Sequence, residues 1–452
     1  MWNTDGGVYL GYATNATEDG PDTRRGNVIR YVGDRHLMTI GPNGSGKSRR
    51  VILPNLAQLK GWSVVVVDPK GDLCEMTRAY RQNNGAASVI LNPFGVLDLP
   101  SHGFNPVAAL DSDSDDFPDD AFGLAESMIR IEGRETHWAA SAQDLVAGLI
   151  MAVRLSMPGV GSLAHVREFL GYDYERFREN AVNMIGVAKN KKCPELETKL
   201  SRYTVIDNDS RELNSILSTA QTQTRWLDSR AMKADLGKGN FDFSVLKEKP
   251  TTVYLTLPAR RLGTHATWLR VMIASIIQPL LKDTRRPKVP VLLVLDEYPA
   301  LAAGGFAVIE KNMAMFRGFG IKLWTVWQDL AQAENLYGKG FESFVANAGV
   351  LQSFAPQDVI TAEHLSKLMP LTVMTAEQQS RSFDGHADKK EPGSKHSVNT
   401  SDQAMPVMLP QHLRNMDDGY SVLFSHKLKG PARTFFPFTV AGLDEVYQLD
   451  PS

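Results

Sequence analysis

Cysteine is nearly absent: 452 residues contain only Cys74 and Cys193, far apart in the chain. Two thiols are too few to staple a small secreted fold or to build a zinc cluster, and they fit a reducing compartment. A surplus of either charge is also missing. Lys and Arg number 49 against 51 Asp and Glu, a formal net charge of -2, so no overall basic field draws the chain to nucleic acid or anionic lipid. Any such contact has to be local. No run of eighteen apolar residues occurs, and MWNTDGGVYLGYATNATEDG at the start lacks the basic segment and apolar centre of a secretory signal. A soluble, cytosolic chain is expected on these grounds. There is no tandem repeat, no HExxH metal site and no Ser-His-Asp spacing to suggest a second chemistry. Length and a 43% hydrophobic content leave room for substantial cores and two or three domains.

Against this plain background one segment stands out, 38-LMTIGPNGSGKSRRVILPNL-57. Gly41, Pro42, Asn43, Gly44, Ser45, Gly46, Lys47 and Ser48 satisfy G-x-x-x-x-G-K-[ST] at every fixed position. A strand-like LMTI precedes the motif and a helical pattern at Ile52, Leu56 and Leu59 follows it, as expected for a phosphate-binding loop. Main-chain N–H groups and the helix N-terminus would face the α- and β-phosphates of ATP. Lys47 would reach the β/γ oxygens, and the Ser48 hydroxyl would ligate Mg²⁺. Pro54 is expected to kink the helix.

The run 62-WSVVVVDPKGDL-73 reads as a strand buried on both faces and then a turn; ASVIL at 87–91 reads as another strand. The order strand–helix–strand–helix–strand makes an α/β sheet, whose strand ends form the ligand crevice. Asp68 and Lys70 are therefore placed near the nucleotide or a neighbouring subunit, with a solvated turn as the plainer alternative. In 290-PVLLVLDEYPAL-301 an apolar strand ends on two adjacent carboxylates, the pattern of a Walker B strand. Asp296 would hold Mg²⁺, and Glu297 would polarise the water that attacks the γ-phosphate. The strand IKLWTVW runs into Gln328, which could sense the γ-phosphate or order water. Arg317, just before that strand, is a candidate arginine finger for a neighbour's site; the alternative is an ordinary helix-end cation.

About 150 residues of different character separate ASVIL from the strand TTVYLTL at 251–257. Helical spacing at Leu145, Val146, Leu149, Ile150 and Val153, and again in SLAHVREFL, predicts an all-helical insertion. The acidic run DSDSDDFPDD at 111–120 is expected to be a solvated linker. Residues 1–107 and 236–452 then form the two parts of one nucleotide-binding domain, with 108–235 as the insertion. AGVLQSF and GYSVLFS are expected as later strands, and the polar stretch from Arg381 to Gln403 as a mobile loop.

In family order and spacing, RYVGDRHLMTIGPNGSGKS, VILPNL, VVVVDPKGDL, GFNPV, LLVLDEYPAL, WQDLAQAENLYG and MPVMLPQHLRN resemble the TraG-like coupling ATPases of type IV conjugation, kin to the FtsK and HerA translocases. The resemblance implies a RecA-like domain with an inserted all-α domain, Mg²⁺ and ATP as ligands, and a hexamer beside a type IV secretion channel. It places Lys47, Ser48, Asp296 and Glu297 on the family's nucleotide motifs, and Arg317 and Gln328 on its finger arginine and sensing glutamine. It also implies recruitment of a relaxase–single-stranded DNA complex or of protein effectors, at the cytoplasmic face of the bacterial inner membrane. Members usually begin with transmembrane helices, whereas here the phosphate loop begins some forty residues in. Either an anchor is cut away or the chain is a soluble member, with a monomer in isolation as the alternative to the hexamer. The alternative function is a docking platform for effectors in which nucleotide serves assembly rather than pumping.

Overall fold

The structure is a computed structural model that describes residues 6–13, 28–131, 136–205, 210–239, 241–303, 305–382, 395–425 and 431–435. Its strands are β1 (Val8–Ala13), β2 (Val28–Tyr31), β3 (His36–Ile40), β4 (Ser63–Val67), β5 (Ala87–Leu91), β6 (Thr251–Leu255), β7 (Val291–Leu295), β8 (Ile321–Trp327), β9 (Ala348–Phe354), β10 (Leu371–Ser382), β11 (Lys395–Pro406), β12 (Tyr420–Phe424) and β13 (Ala432–Phe435). Eleven of them form one sheet in the order β2-β1-β13-β12-β9-β3-β8-β7-β4-β6-β5. From β9 to β5 every neighbouring pair is parallel. β12, β13, β1 and β2 extend the β9 edge in antiparallel fashion.

Strands β3, β4, β6, β7 and β8 are buried at every residue, which is what a parallel sheet covered by helices on both faces requires. Alternation divides their side chains between two cores. Val65, Val67, Leu293 and Leu295 point into one; Val64, Val66, Leu292 and Val294 point into the other. The second core is closed by α1 (Leu53–Gln58) and α2 (Asp72–Asn83).

Between β5 and β6 the chain builds α3 (Phe117–Met128), α4 (Thr136–Ser156), α5 (Leu163–Leu170), α6 (Tyr174–Asn190), α7 (Pro194–Val205), α8 (Arg211–Thr224) and α9 (Arg230–Leu236). By length and composition α4 could cross a membrane, yet 67% of its most apolar window is buried, against α3 and α5 to α8. It is the core helix of the insertion. The long α10 (Ala259–Lys282) then packs against α3 and joins the inserted helices to the sheet.

Three expectations change. The acidic run is not wholly a solvated linker: α3 begins at Phe117, and Asp116, Asp119 and Asp120 occupy its N-terminal turn, where the helix dipole favours negative charge. Asp120 is buried there and accepts from Gln278 at 3.1 Å and from Lys282 at 2.5 Å, both on α10. The polar stretch predicted as a loop is in part a hairpin. β10 pairs with β11 from Leu371↔Pro406 to Ser382↔Lys395, and 383–394 lies outside the described residues. Backbone hydrogen bonding made this ladder without the apolar alternation that betrays a strand. Strands β1, β2 and β13 carried too little pattern to be expected at all.

At Pro54 the helix changes pitch. The helix after the phosphate loop opens as a wide turn over Lys47–Ile52, where the Leu53 N–H donates to the Ser48 carbonyl five residues back, and it tightens to α at Leu53 with Pro54 in the first turn. A proline has no N–H to give and crowds the carbonyl four residues earlier, so the wider step relieves both problems. Asn55 then ties the helix to β1. Its Oδ1 accepts from the Tyr9 N–H at 2.6 Å, and its Nδ2 donates to the Tyr9 carbonyl at 2.9 Å.

Arg81 on α2 is 1% exposed and donates to the Leu59 and Trp62 carbonyls and, at 2.8 Å, to Thr252 Oγ1 on β6. Replacing it strands two buried acceptors. Arg81→Met is expected to lower unfolding free energy by about 2–4 kcal/mol in urea titration, with the sheet retained by circular dichroism.

Candidate functional site

Register, more than any single residue, assembles the site. Ile40 at the end of β3 lies opposite Trp327 at the end of β8, and Leu295 at the end of β7 lies opposite both Thr325 on β8 and Val67 at the end of β4. All four strands are parallel. The turns after them therefore emerge at one edge, bringing together Gly41–Ser48, Asp68, Asp296–Glu297 and Gln328.

The loop leaves β3 with the Gly41 N–H donating to the Trp327 carbonyl at 3.0 Å, so the ladder carries the chain into the turn. A Cβ on Gly41 would come within 2.8 Å of Ser45 Oγ and 3.1 Å of Phe354 Cβ, and Gly46 has φ +82°, which only glycine adopts readily. Lys47 is 8% exposed, and its Nζ donates to the carbonyls of Gly41 and, at 3.1 Å, Pro42. Burial lowers the affinity of this amine for its proton, while Asp296 and Glu297 oppose the effect. Ser48 Oγ donates to Asp296 Oδ2 at 3.1 Å across 248 residues of sequence. Burial, then the neighbouring Glu297, raises the Asp296 pKa.

Glu297 has φ +57°, one of two non-glycine residues with positive φ among the described residues. Gln328 Nε2 donates to Glu297 Oε2 at 3.1 Å, and Gln332 Nε2 donates to Gln328 Oε1 at 3.3 Å. The two amides form a chain that fixes the carboxylate. Behind it, α11 (Tyr298–Ala302) is held by Tyr298, whose ring centroid lies 5.0 Å from that of Trp327 and whose hydroxyl meets that of Tyr337 at 3.1 Å. Gln332 and this aromatic packing carried no motif and were not anticipated.

Asp68 departs from its expected role. It is 2% exposed, and its two oxygens accept from the N–H groups of Gly71 at 2.9 Å and Cys74 at 2.8 Å, so it shapes its own turn. Burial pushes its pKa up to about 6 against those hydrogen bonds. Lys70 on that turn is exposed. Arg317 is also elsewhere. It follows α12 (Ala307–Phe316) and precedes β8, at the opposite end of a seven-residue strand from Gln328, roughly 23 Å away. Its Nε pairs with Asp34 Oδ2 at 2.7 Å, and its side chain is 57% exposed. Both a helix-end cation and a group offered to another molecule fit that position.

A cleft of about 250 Å³ opens beside the loop between Pro42–Ser45, Phe354, Gln357 and Asp417–Tyr420. Ser45 Oγ is buried and has no hydrogen-bond partner. That orphaned hydroxyl, the glycine-permitted turn and the first unpaired N–H groups of the following helix suit phosphate oxygens. Ser48 and Asp296 are an oxygen pair suited to Mg²⁺, which commonly takes its other ligands from phosphate and water.

A profile of the family described as Type IV secretory system Conjugative DNA transfer matches residues 9–431. The chain belongs to that family. VirD4 of Rhizobium rhizogenes is 26% identical over 411 residues, covering 87% of this chain and 57% of that protein. The conjugal transfer protein TraG of Escherichia coli is 26% identical over 398 residues, covering 83% and 60%. The chain thus spans about three fifths of the length of these relatives. Among solved structures, the plasmid coupling protein TrwB bound to a non-hydrolysable ATP analogue superposes with a TM-score of 0.66 at 17% identity, over 97% of this chain and 96% of that one. TrwB with ADP and Mg²⁺ gives 0.64 at 18%, over 90% and 86%. The shared fold is the RecA-like α/β domain with an inserted helical domain.

Two measurements probe the site's physical state. Glu297→Gly removes a left-handed side chain and is expected to raise unfolding free energy by about 1 kcal/mol in urea. For Asp68 the folded pKa is raised, so the folded chain binds a proton more tightly than the unfolded one. Relative to Asp68→Asn, the wild type should gain stability as pH falls from about 6 towards 4, by about 2–3 kcal/mol at most, and lose that gain as pH rises again.

Proposed function

We propose that the chain is the nucleotide-driven part of a type IV coupling protein: it binds Mg²⁺ and ATP at Gly41–Ser48, hydrolyses the γ-phosphate, and uses the cycle to pass a relaxase–DNA complex to the secretion channel. The observation that carries the proposal is the 3.1 Å contact of Ser48 with Asp296, beside a Glu297 held by Gln328 at 3.1 Å. The loop N–H groups and Lys47 bind the phosphate oxygens. Ser48 and Asp296 would hold Mg²⁺, which would supply charge neutralisation for the phosphoryl transfer. Glu297 orients a water and accepts its proton as the water oxygen bonds to γ-phosphorus and the β–γ bridging oxygen departs with ADP. Gln328 keeps that carboxylate aimed.

Arg317 lies too far along β8 to serve this loop, and its exposure suits action across a subunit boundary in a homo-hexamer. The family description names conjugative DNA transfer, TraG is named for conjugal transfer and TrwB as a plasmid coupling protein, which favours DNA with its relaxase as cargo over protein effectors. The working place is the cytoplasmic face of the bacterial inner membrane, beside the channel.

Glu297→Gln is expected to bind ATP about as well as wild type while losing turnover by roughly 10²–10⁴-fold, measured by nucleotide titration and phosphate release. Arg317→Ala alone should lose roughly 10³-fold or more. Mixed with Lys47→Ala, it should regain part of the rate, because a complete site can form between one subunit's loop and another's arginine. No recovery in a mixed assembly would contradict the trans role. Transfer that persists with Lys47→Ala would instead favour a docking platform.

A further inference from the structure

Away from the phosphate loop, a cavity of about 490 Å³ lies on the seam between the inserted helices and α10. Arg130, Arg225 and Trp226 line it from the insertion, and Arg261, His265 and Arg270 line it from α10. Among the described residues that line it there is no Asp or Glu. Four guanidinium groups on a described lining without Asp or Glu give the cavity a local positive potential on a chain whose net charge is -2.

Charge alone would mark only a solvated basic face. The stronger sign is a pair of buried polar atoms without partners. Trp226 is 5% exposed, and its indole Nε1, which can only donate, has no hydrogen-bond partner. His265 is 6% exposed; its Nδ1 meets Thr264 Oγ1 at 2.7 Å, and its Nε2 has no partner. Leaving such groups unpaired costs free energy that an entering acceptor would recover. Arg130 and Arg270 are fixed from behind: both donate to the Ala303 carbonyl, at 2.6 and 3.3 Å, just after α11. Arg225 and Arg261 are exposed at the mouth, and Arg261 lies over the Phe94 ring, 5.4 Å from its centroid.

We infer that this cavity is a second phosphate site: a phosphate group enters between Arg225 and Arg261, accepts from Trp226 Nε1 at the floor, and bridges the inserted domain to the sheet domain. Its size suits a small phosphorylated ligand or one nucleotide of a strand, and the shared chemistry is the tetrahedral oxyanion. The site does not depend on hydrolysis at the phosphate loop.

The test uses the full chain with its phosphate loop first saturated with Mg²⁺ and a non-hydrolysable ATP analogue. Pyrophosphate, and separately a short single-stranded oligonucleotide, are then titrated calorimetrically into wild type, Arg225→Ala/Arg261→Ala and Trp226→Phe. The double variant should weaken binding roughly a hundredfold or more, and Trp226→Phe several-fold with an unchanged melting temperature. Loss confined to pyrophosphate identifies a free phosphorylated ligand; loss confined to the oligonucleotide identifies a backbone phosphate. Equal affinities for both ligands in all three proteins, or no binding to wild type, overturn the inference. Failure of the analogue to bind in the first titration bears on the phosphate loop alone.

Discussion

The constraint on which the site depends is the parallel register of β3, β8, β7 and β4. Ser48 and Asp296 can share a hydrogen bond at 3.1 Å only because Ile40, Trp327 and Leu295 end their strands at the same edge. A slip of one residue in β7 would exchange Leu292 and Val294 with Leu293 and Leu295 between the two cores and turn Asp296 away. Burial of both faces thus holds the register, and the register holds the chemistry. The apolar strands and the polar turns are parts of one device.

Polar groups at that edge are arranged at a cost. Glu297 occupies a left-handed conformation, and Lys47 and Asp296 are withdrawn from water towards each other. Strain of this sort persists where the surroundings over-determine it, here the Tyr298–Trp327 packing and the Gln328–Gln332 amides. The short helix α11, capped by Glu297, ends beside Ala303, whose carbonyl receives Arg130 from the insertion and Arg270 from α10. One turn of chain therefore separates the acidic pair from the seam between the two domains.

What could be read beforehand follows from how each element is encoded. The parallel strands advertise themselves as runs such as SVVVV and VLLVL, because both faces are buried. The phosphate loop is explicit because its glycines are demanded by backbone geometry. β1, β2 and β13 escaped because they are only four to six residues long and carry no continuous apolar run, and the β10–β11 hairpin because its pairing rests on main-chain groups that every residue carries. Asp68 looked like a ligand-facing carboxylate, but the N–H groups of Gly71 and Cys74 in its own turn occupy its two oxygens. Trp226 and His265 are invisible to spacing, since they line one cavity only when the insertion folds against α10. Long-range convergence of single residues is what a linear pattern does not encode.

The most direct measurement of the central claim is a double-mutant cycle on nucleotide affinity with and without Mg²⁺, using Ser48→Ala, Asp296→Asn and the pair together. If the two oxygens hold one ion, each single variant should erase most of the Mg²⁺-dependent gain, and the double variant should lose little more. Independent, additive losses, or a Mg²⁺ dependence untouched by either substitution, would contradict the account.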